Sequence, residues 1–232
     1  MKLLINTQSI DRTEKVMLLV SYLVQLNIIV GIFISFWKQN WLILFLTTGI
    51  LLLTLFPSML RRNYKLNLPV EFDLVTILFI YSSLFLGEIH AYYVKYWWWD
   101  IVLHTSSGFL VGIVGFLAVH LLNQNKKIRL RLKPAFVALF ALTFAVTIGS
   151  IWEIFEYFVD LSFGLTMQDN LIDTMWDIIV NLAGAGIISG WGYLYLKNGK
   201  IFLVDRLIRK VVERNQWLLG KKKKYGFKLK SV

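Results

Sequence analysis

The chain has 232 residues, 57% hydrophobic, 16% aromatic and only 17% charged, with a formal net charge of +11 and no cysteine. Apolar runs of about 20 residues recur along it, the length that crosses roughly 30 Å of hydrocarbon, so the sequence specifies an all-α, multi-pass membrane bundle. The alternating segments of about 10 residues that a β-barrel needs are absent, and without cysteine neither disulfide nor thiolate chemistry is open to the protein.

In chain order, residues 1–15 form a short polar lead with Lys2, Arg12 and Lys15. The first apolar run is too long for a signal-peptide core and no small-residue cleavage site follows it, so no cleaved signal is expected. Six spans are predicted: Val16–Trp37, Trp41–Leu60, Val70–His90, Ile101–Leu122, Pro134–Val159 and Thr174–Tyr195. A tight loop at Lys38–Asn40 joins the first two. Pro57 falls in the last turns of the second span, where neighbouring helices and water can satisfy the carbonyl it frees. Glu71 and Asp73 sit in the first turn of the third, where carboxylates complement the helix dipole. Between the third and fourth spans the aromatics Tyr92, Tyr93, Tyr96, Trp97, Trp98 and Trp99 favour the headgroup level of a membrane. Pro134 is well placed to open the fifth span. The chain thus divides into a cytoplasmic lead (1–15), a six-helix transmembrane domain (16–196) and a basic amphipathic cytoplasmic tail (197–232).

An excess of Lys and Arg would suit nucleic acid, but here its placement reports topology instead. All but two of the 25 Lys and Arg residues fall in the lead, at Arg61–Lys65, at Lys126–Lys133 or after Tyr195. Only Lys38 and Lys95 lie in connections on the opposite side. This asymmetry predicts a cell (plasma or inner) membrane protein with both termini in the cytoplasm. After Gly199, Val204, Leu207, Ile208, Val211 and Val212 recur at helical spacing between Arg206, Arg209, Lys210 and Arg214. That is the pattern of an amphipathic helix on the inner leaflet. The run Lys221–Lys224 is expected near anionic lipid of that leaflet. Membrane lipids are the expected partners, and nucleic acid is not.

The stretch from Trp152 to Gly190 breaks the apolar pattern. Carboxylates stand inside and beside its apolar runs: Glu153, Glu156, Asp160, Asp169, Asp173 and Asp177, with Asn181 beyond. Ionisable groups in hydrocarbon are costly, so they mark a protein interior or a wet cavity. Under the topology above, Glu88 and His90 close the third span on the outer side, and Asp100 and His104 open the fourth. Glu153, Glu156 and Asp160 lead out along the fifth, and Asp173, Asp177 and Asn181 lead back along the sixth. Residues three or four apart share a helix face. Asp100 and His104 fit that rule, with Ser107 and Gly108 continuing the face. So do Glu153, Glu156 and Asp160, and so do Asp173, Asp177, Asn181 and Gly184. Glu153 lies about 10 Å below Asp160 by helical rise, at hydrocarbon depth. Three helices each offer a polar stripe, and one shared cavity satisfies all three. His120, about 24 Å along the helix from His104, is expected at the cytoplasmic interface. Asp169 reads as a turn or cap residue. Gly108, Gly112, Gly115, Gly184 and Gly186 suit close helix packing.

Carboxylates packed together repel, so they share protons or a cation. Histidine with several Asp or Glu ligates Zn²⁺ or a related metal, whereas an all-oxygen set suits Ca²⁺ or Mg²⁺. A metal would also allow hydrolysis of a lipid headgroup. Asp100, His104, Glu153 and Asp177 are the candidate ligands of a divalent metal. His104, Glu153 and Glu156 are the candidate acid–base groups. Asp100, Asp160, Asp173, Asp177 and Asn181 are the candidate contacts to a polar substrate. There is no HExxH motif, and Ser106 and Ser107 near His104 are helical hydroxyls with no nucleophile's context.

These residues also carry a resemblance. WWDIVLHTSSGFLVG, WEIFEYFVD and DTMWDIIVNLAGA resemble the YjdF-like family of bacterial inner-membrane proteins of unknown function, over roughly Phe72–Tyr195. A more distant likeness is to VanZ-like proteins, linked to glycopeptide resistance. Those carry Asp and His four apart on one helix, matched by Asp100 and His104. They also carry an Asp-x-x-x-Asn-x-x-Gly run, matched by Asp177, Asn181 and Gly184. Ile101 stands where they often have lysine and Glu156 where they have glutamine, and no arginine lies between Asp160 and Asp173. The closer resemblance implies the fold and brings no activity.

The expected function is that of a cell-envelope protein whose outward-facing carboxylate/histidine cavity binds, and given a metal could modify, a lipid or lipid-linked headgroup. Two alternatives fit the same residues. A small cation- or proton-coupled transporter would need a second polar track reaching the cytoplasm. A structural subunit would use the cluster as a buried hydrogen-bonded network.

Overall fold

The computed structural model describes residues 11–64, 67–125, 131–164, 167–168, 170–199 and 201–219. Most of the polar lead, Lys126–Leu130 of the basic loop, Asp169 and the Lys221–Lys224 run lie outside the described residues. Within them every regular element is helical. Five segments are long and apolar enough to cross a membrane: Arg12–Trp37, Val70–Ile89, Trp98–Gln124, Pro134–Phe163 and Leu171–Asn198. The protein is a polytopic, membrane-embedded helical protein. Its chain falls into two compact units, Met1–Trp99 and Asp100–Val232.

In the first unit α1 (Arg12–Trp37) turns into α2 (Trp41–Thr54). Gln39 takes a left-handed φ of 55° in the turn, and the Asn40 side chain caps α2 by accepting the Ile43 N–H at 3.3 Å. The second predicted span is not one helix. It stops at Leu55 and resumes as α3 (Phe56–Tyr64). Pro57 is the physical reason: it has no N–H for the Leu53 carbonyl, and its ring crowds that carbonyl.

The third span keeps its expected length but changes its winding. It runs as α4 (Val70–Ile80), with Asp73 buried in its first turn, and continues as a π-helix, π1 (Tyr81–Ile89). Ile28 of α1, Ile50 of α2 and Phe85 of π1 form the buried core of the unit. Polar side chains tie the same helices together. Gln25 Nε2 donates to the Thr54 hydroxyl at 3.3 Å, and the Tyr81 hydroxyl donates to Asn27 Oδ1 at 2.9 Å. In hydrocarbon such groups have few other partners.

The aromatic segment divides its work. Trp97 is 80% exposed. Trp99 packs edge-on against Tyr92 at 5.0 Å and donates to the Ser82 carbonyl at 3.2 Å. The Tyr93 hydroxyl lies 3.1 Å from Ser83 Oγ. These contacts fasten the single turn α5 (Tyr92–Lys95) to π1.

The second unit is built on α6 (Trp98–Gln124), α7 (Pro134–Phe163) and α8 (Leu171–Asn198). All three are longer than predicted at the end that carries the acidic residues, and their caps explain two of the extensions. Gly164, at a φ of 64°, closes α7 with its N–H on the Asp160 carbonyl at 2.9 Å. Asn170 caps α8, accepting the Ile172 and Asp173 N–H groups at 2.8 and 3.2 Å. Asp160 and Asp173, the predicted ends of a loop, are therefore both helical.

α6 and α8 approach backbone to backbone. A Cβ on Gly108 would strike the Asn181 carbonyl, and one on Gly184 the Thr105 carbonyl. Gly112 faces Ile188 of α8, and Gly115 faces Phe144 and Ala141 of α7. Gly186, expected to share this role, has open space instead. His120, near the far end of α6, is packed inside the protein. It is 3% exposed, stacks on Phe116 at 5.5 Å and sits with Nε2 3.0 Å from Gln124 Nε2. The amphipathic helix after Gly199 is present as α9 (Phe202–Arg214). Its Val204, Ile208 and Val211 are buried by the protein itself, so this apolar stripe needs no lipid to cover it.

Candidate functional site

α6, α7 and α8 bring ionisable side chains to one point, and the register of each helix sets its contribution. Asp100 and His104 are one turn apart on α6, and the His104 Nε2 lies 3.2 Å from Asp100 Oδ1. The same nitrogen is 4.0 Å from Asp177 Oδ1 on α8. The other ring nitrogen, Nδ1, is 3.6 Å from Glu153 Oε1 on α7. One ligating atom from each of Asp100, His104 and Asp177 lies within 4.8 Å of the others. His104, Glu153 and Asp177 are each at most 9% exposed. By helical rise His104 and Asp177 stand about 9 Å inside their helix starts, and Glu153 about 15 Å inside the end of α7.

The connection from α7 to α8 folds back onto the cluster. Asp160 anchors it, with Oδ1 and Oδ2 accepting the Met167 and Gln168 N–H groups at 2.8 and 2.9 Å. This turns Gln168 inward. Its Nε2 donates to the Glu153 carbonyl at 3.0 Å and to Glu153 Oε2 at 3.3 Å. Glu153 is thus gripped through Oε2 while Oε1 faces the imidazole. Oε1 has no hydrogen-bond partner among the described residues.

The remaining predicted residues flank this centre. Glu156 is buried one turn from Glu153 and accepts the Trp152 indole N–H on Oε1 at 2.7 Å. Asp173 stands in the first turn of α8, one turn before Asp177. Asn181 is 2% exposed, with its amide nitrogen 3.5 Å from Ser107 Oγ. Gly149 of α7 leaves the room it occupies. Its Oδ1 has no hydrogen-bond partner among the described residues. Glu88 and His90 belong to the first unit, where His90 Nδ1 lies 2.8 Å from the Phe85 carbonyl. Gln168 is the residue the sequence reading missed: it sits in a connection, where no periodicity marks an inward side chain.

The model of a family described as "Predicted membrane protein (DUF2238)" matches residues 17–198. The chain belongs to this family. No curated protein and no solved structure matches it. The YjdF-like resemblance agrees with this membership, whereas the VanZ-like one has no match behind it. The DUF2238 match takes in the whole cluster, from Asp100 to Asn181, and Gln168 with it.

What this DUF2238 cluster can do follows from its charges. Three carboxylates surround a single imidazole. Even a protonated imidazole leaves the set negative, and unmatched charge at this depth costs several kcal/mol. One carboxylate oxygen of Asp100 lies within 4.8 Å of one of Asp177. Carboxylates in such a pair share a proton or a cation.

Proposed function

We propose that this DUF2238 protein holds a divalent cation at Asp100, His104 and Asp177, and uses it to bind a lipid or lipid-linked headgroup. The observation that carries the reading is the convergence of two carboxylates on one nitrogen of a buried imidazole. A divalent cation matches the negative charge that these groups would otherwise leave uncompensated. A mixed imidazole–carboxylate set suits Zn²⁺ or a related ion, and three protein ligands leave a coordination position for an outside group. Glu153 then takes the role of orienting carboxylate, receiving the Nδ1–H of a ligating histidine. Gln168 holds Glu153 in turn. The sequence reading counted Glu153 among the ligands; its place on the far nitrogen favours this supporting role.

The depth of the cluster supports a lipid headgroup as the bound group. The distribution of Lys and Arg supports an outer-leaflet opening in a cell membrane, with both termini in the cytoplasm. It also supports anionic inner-leaflet lipid as the partner of the basic tail. Transport has less behind it. Beyond Asn181 the α6–α8 joint closes where Gly112 meets Ile188 and Gly192 meets Phe116. Only Ser189 and His120 add buried polar side chains on these two helices past that point.

Elemental mass spectrometry of the purified full-length chain is expected to find about one divalent metal per chain. Asp177→Asn should lose it while circular dichroism shows the helices retained. A metal-free wild type, or a folded Asp177→Asn that keeps its metal, overturns the cation. The headgroup is read by binding of short-chain phospholipid before and after a chelator. Equal binding in both conditions overturns that part.

A further inference from the structure

We infer that the first unit carries a second, metal-independent site, which takes an anionic phospholipid by its phosphate and the start of an acyl chain. The unit contains a crevice of about 240 Å³ between α1, the α1–α2 turn, α2 and π1. That is smaller than the roughly 300–1,000 Å³ of a drug-sized pocket, so it admits part of a lipid and not the whole of one. Its composition is graded along the helices. Lys38, Asn40 and His90 line it where α1 and π1 end and α2 begins. Val30, Gly31 and Phe85 line it further along, and Asn27, Ser35 and Thr47 beside them have their polar groups engaged by Tyr81 and by the Gly31 and Ile43 carbonyls. A polar end and an apolar length are the two chemistries of a phospholipid.

Charge decides the sign of the headgroup. Lys38 and Lys95 are the two basic residues that fall outside the cytoplasmic set, and both converge on this end. Lys38 lines the crevice. Lys95 donates from Nζ to the His90 carbonyl at 2.8 Å, and His90 lines it too. No carboxylate is among the lining residues. The N-terminus of α2, a helix of 14 residues, opens beside Asn40, and the positive end of its dipole favours an anion. His90 donates its Nδ1–H to the Phe85 carbonyl at 2.8 Å, which fixes the ring against the wall of the crevice. The wall is built by an unusual element. π-Helical turns are rare and recur at functional sites, and π1 with its cap supplies Phe85, Ile89 and His90. Gly31 lets the Phe85 ring pack close against the α1 backbone, since a Cβ there would lie 3.0 Å from it.

The test is native mass spectrometry of the full-length protein, released from detergent with phosphatidylglycerol or phosphatidylcholine of matched chains. With a chelator present, so that the metal cluster holds no lipid, one phosphatidylglycerol should be retained, about tenfold above phosphatidylcholine, the scale of one charge-assisted contact. Lys38→Ala should erase that preference and Lys133→Ala should keep it. Its persistence under chelation separates this site from the metal cluster. Equal retention of the two lipids, or an unaltered preference in Lys38→Ala, overturns the proposal. Inorganic phosphate alone should compete poorly; complete displacement by phosphate at millimolar level would show that no acyl chain is held.

Discussion

His104 has two ring nitrogens, and the cluster gives each a different neighbour. Nε2 faces Asp100 and Asp177, and Nδ1 faces Glu153. Helical spacing made all four residues visible in the sequence, because each stripe repeats every third or fourth position. Spacing does not say which nitrogen each carboxylate meets, since that depends on how far one helix slides along the next. It also could not reveal Gln168, or show that Asp160 anchors a connection by two backbone N–H groups. Glu153→Gln tests the division of roles. It keeps the size of the side chain and its contact with Gln168 but removes the charge opposite Nδ1. An orienting carboxylate lost in this way lowers metal affinity by about 10–100-fold. Competitive titration against a chromophoric chelator should read that drop in a folded variant. Unchanged affinity would detach Glu153 from the imidazole's function.

At the scale of elements, apolar runs located the helices but said little about their winding. An α-helix and a π-helix present the same hydrophobic stretch, so π1 was not legible between Tyr81 and Ile89. Pro57 was legible, but its consequence was not: the span divides at Leu55 instead of bending through. Glycines show the limit most clearly. Gly184 and Gly186 are near neighbours of identical composition, yet a Cβ on Gly184 meets the Thr105 carbonyl and one on Gly186 meets nothing. Backbone cannot move aside as a side-chain tip can. Gly184→Ala should therefore cost about 1–3 kcal/mol, which for a chain of this size lowers the thermal midpoint by about 2–4 °C per kcal/mol. Gly186→Ala should be neutral or gain up to about 1 kcal/mol from helix propensity. Thermal unfolding of both variants in the same detergent checks the pair. Equal midpoints would mean that α6 and α8 do not touch at Gly184.

At the scale of the whole molecule, the orientation of the cluster depends on the number of crossings, and that number turns on the second predicted span. α2 has 14 residues and is about 21 Å long, short of the roughly 30 Å of a hydrocarbon core. Only with α3 beyond the Pro57 break does the segment reach across. If it crosses, the count is six, both termini share the cytoplasmic side, and the start of α6 opens outward. If α2 and α3 turn back, the count is five, the termini separate, and either the cluster or the N-terminus changes side. The chain has no cysteine of its own, so single cysteines report position without background. With a membrane-impermeant maleimide on intact cells, Lys38→Cys and Val94→Cys should label. Asn67→Cys and Arg131→Cys should label only after lysis. Labelling of Lys38→Cys and Asn67→Cys from the same side would show that the broken segment does not cross. The positive-inside reading would then hold for one unit and fail for the other.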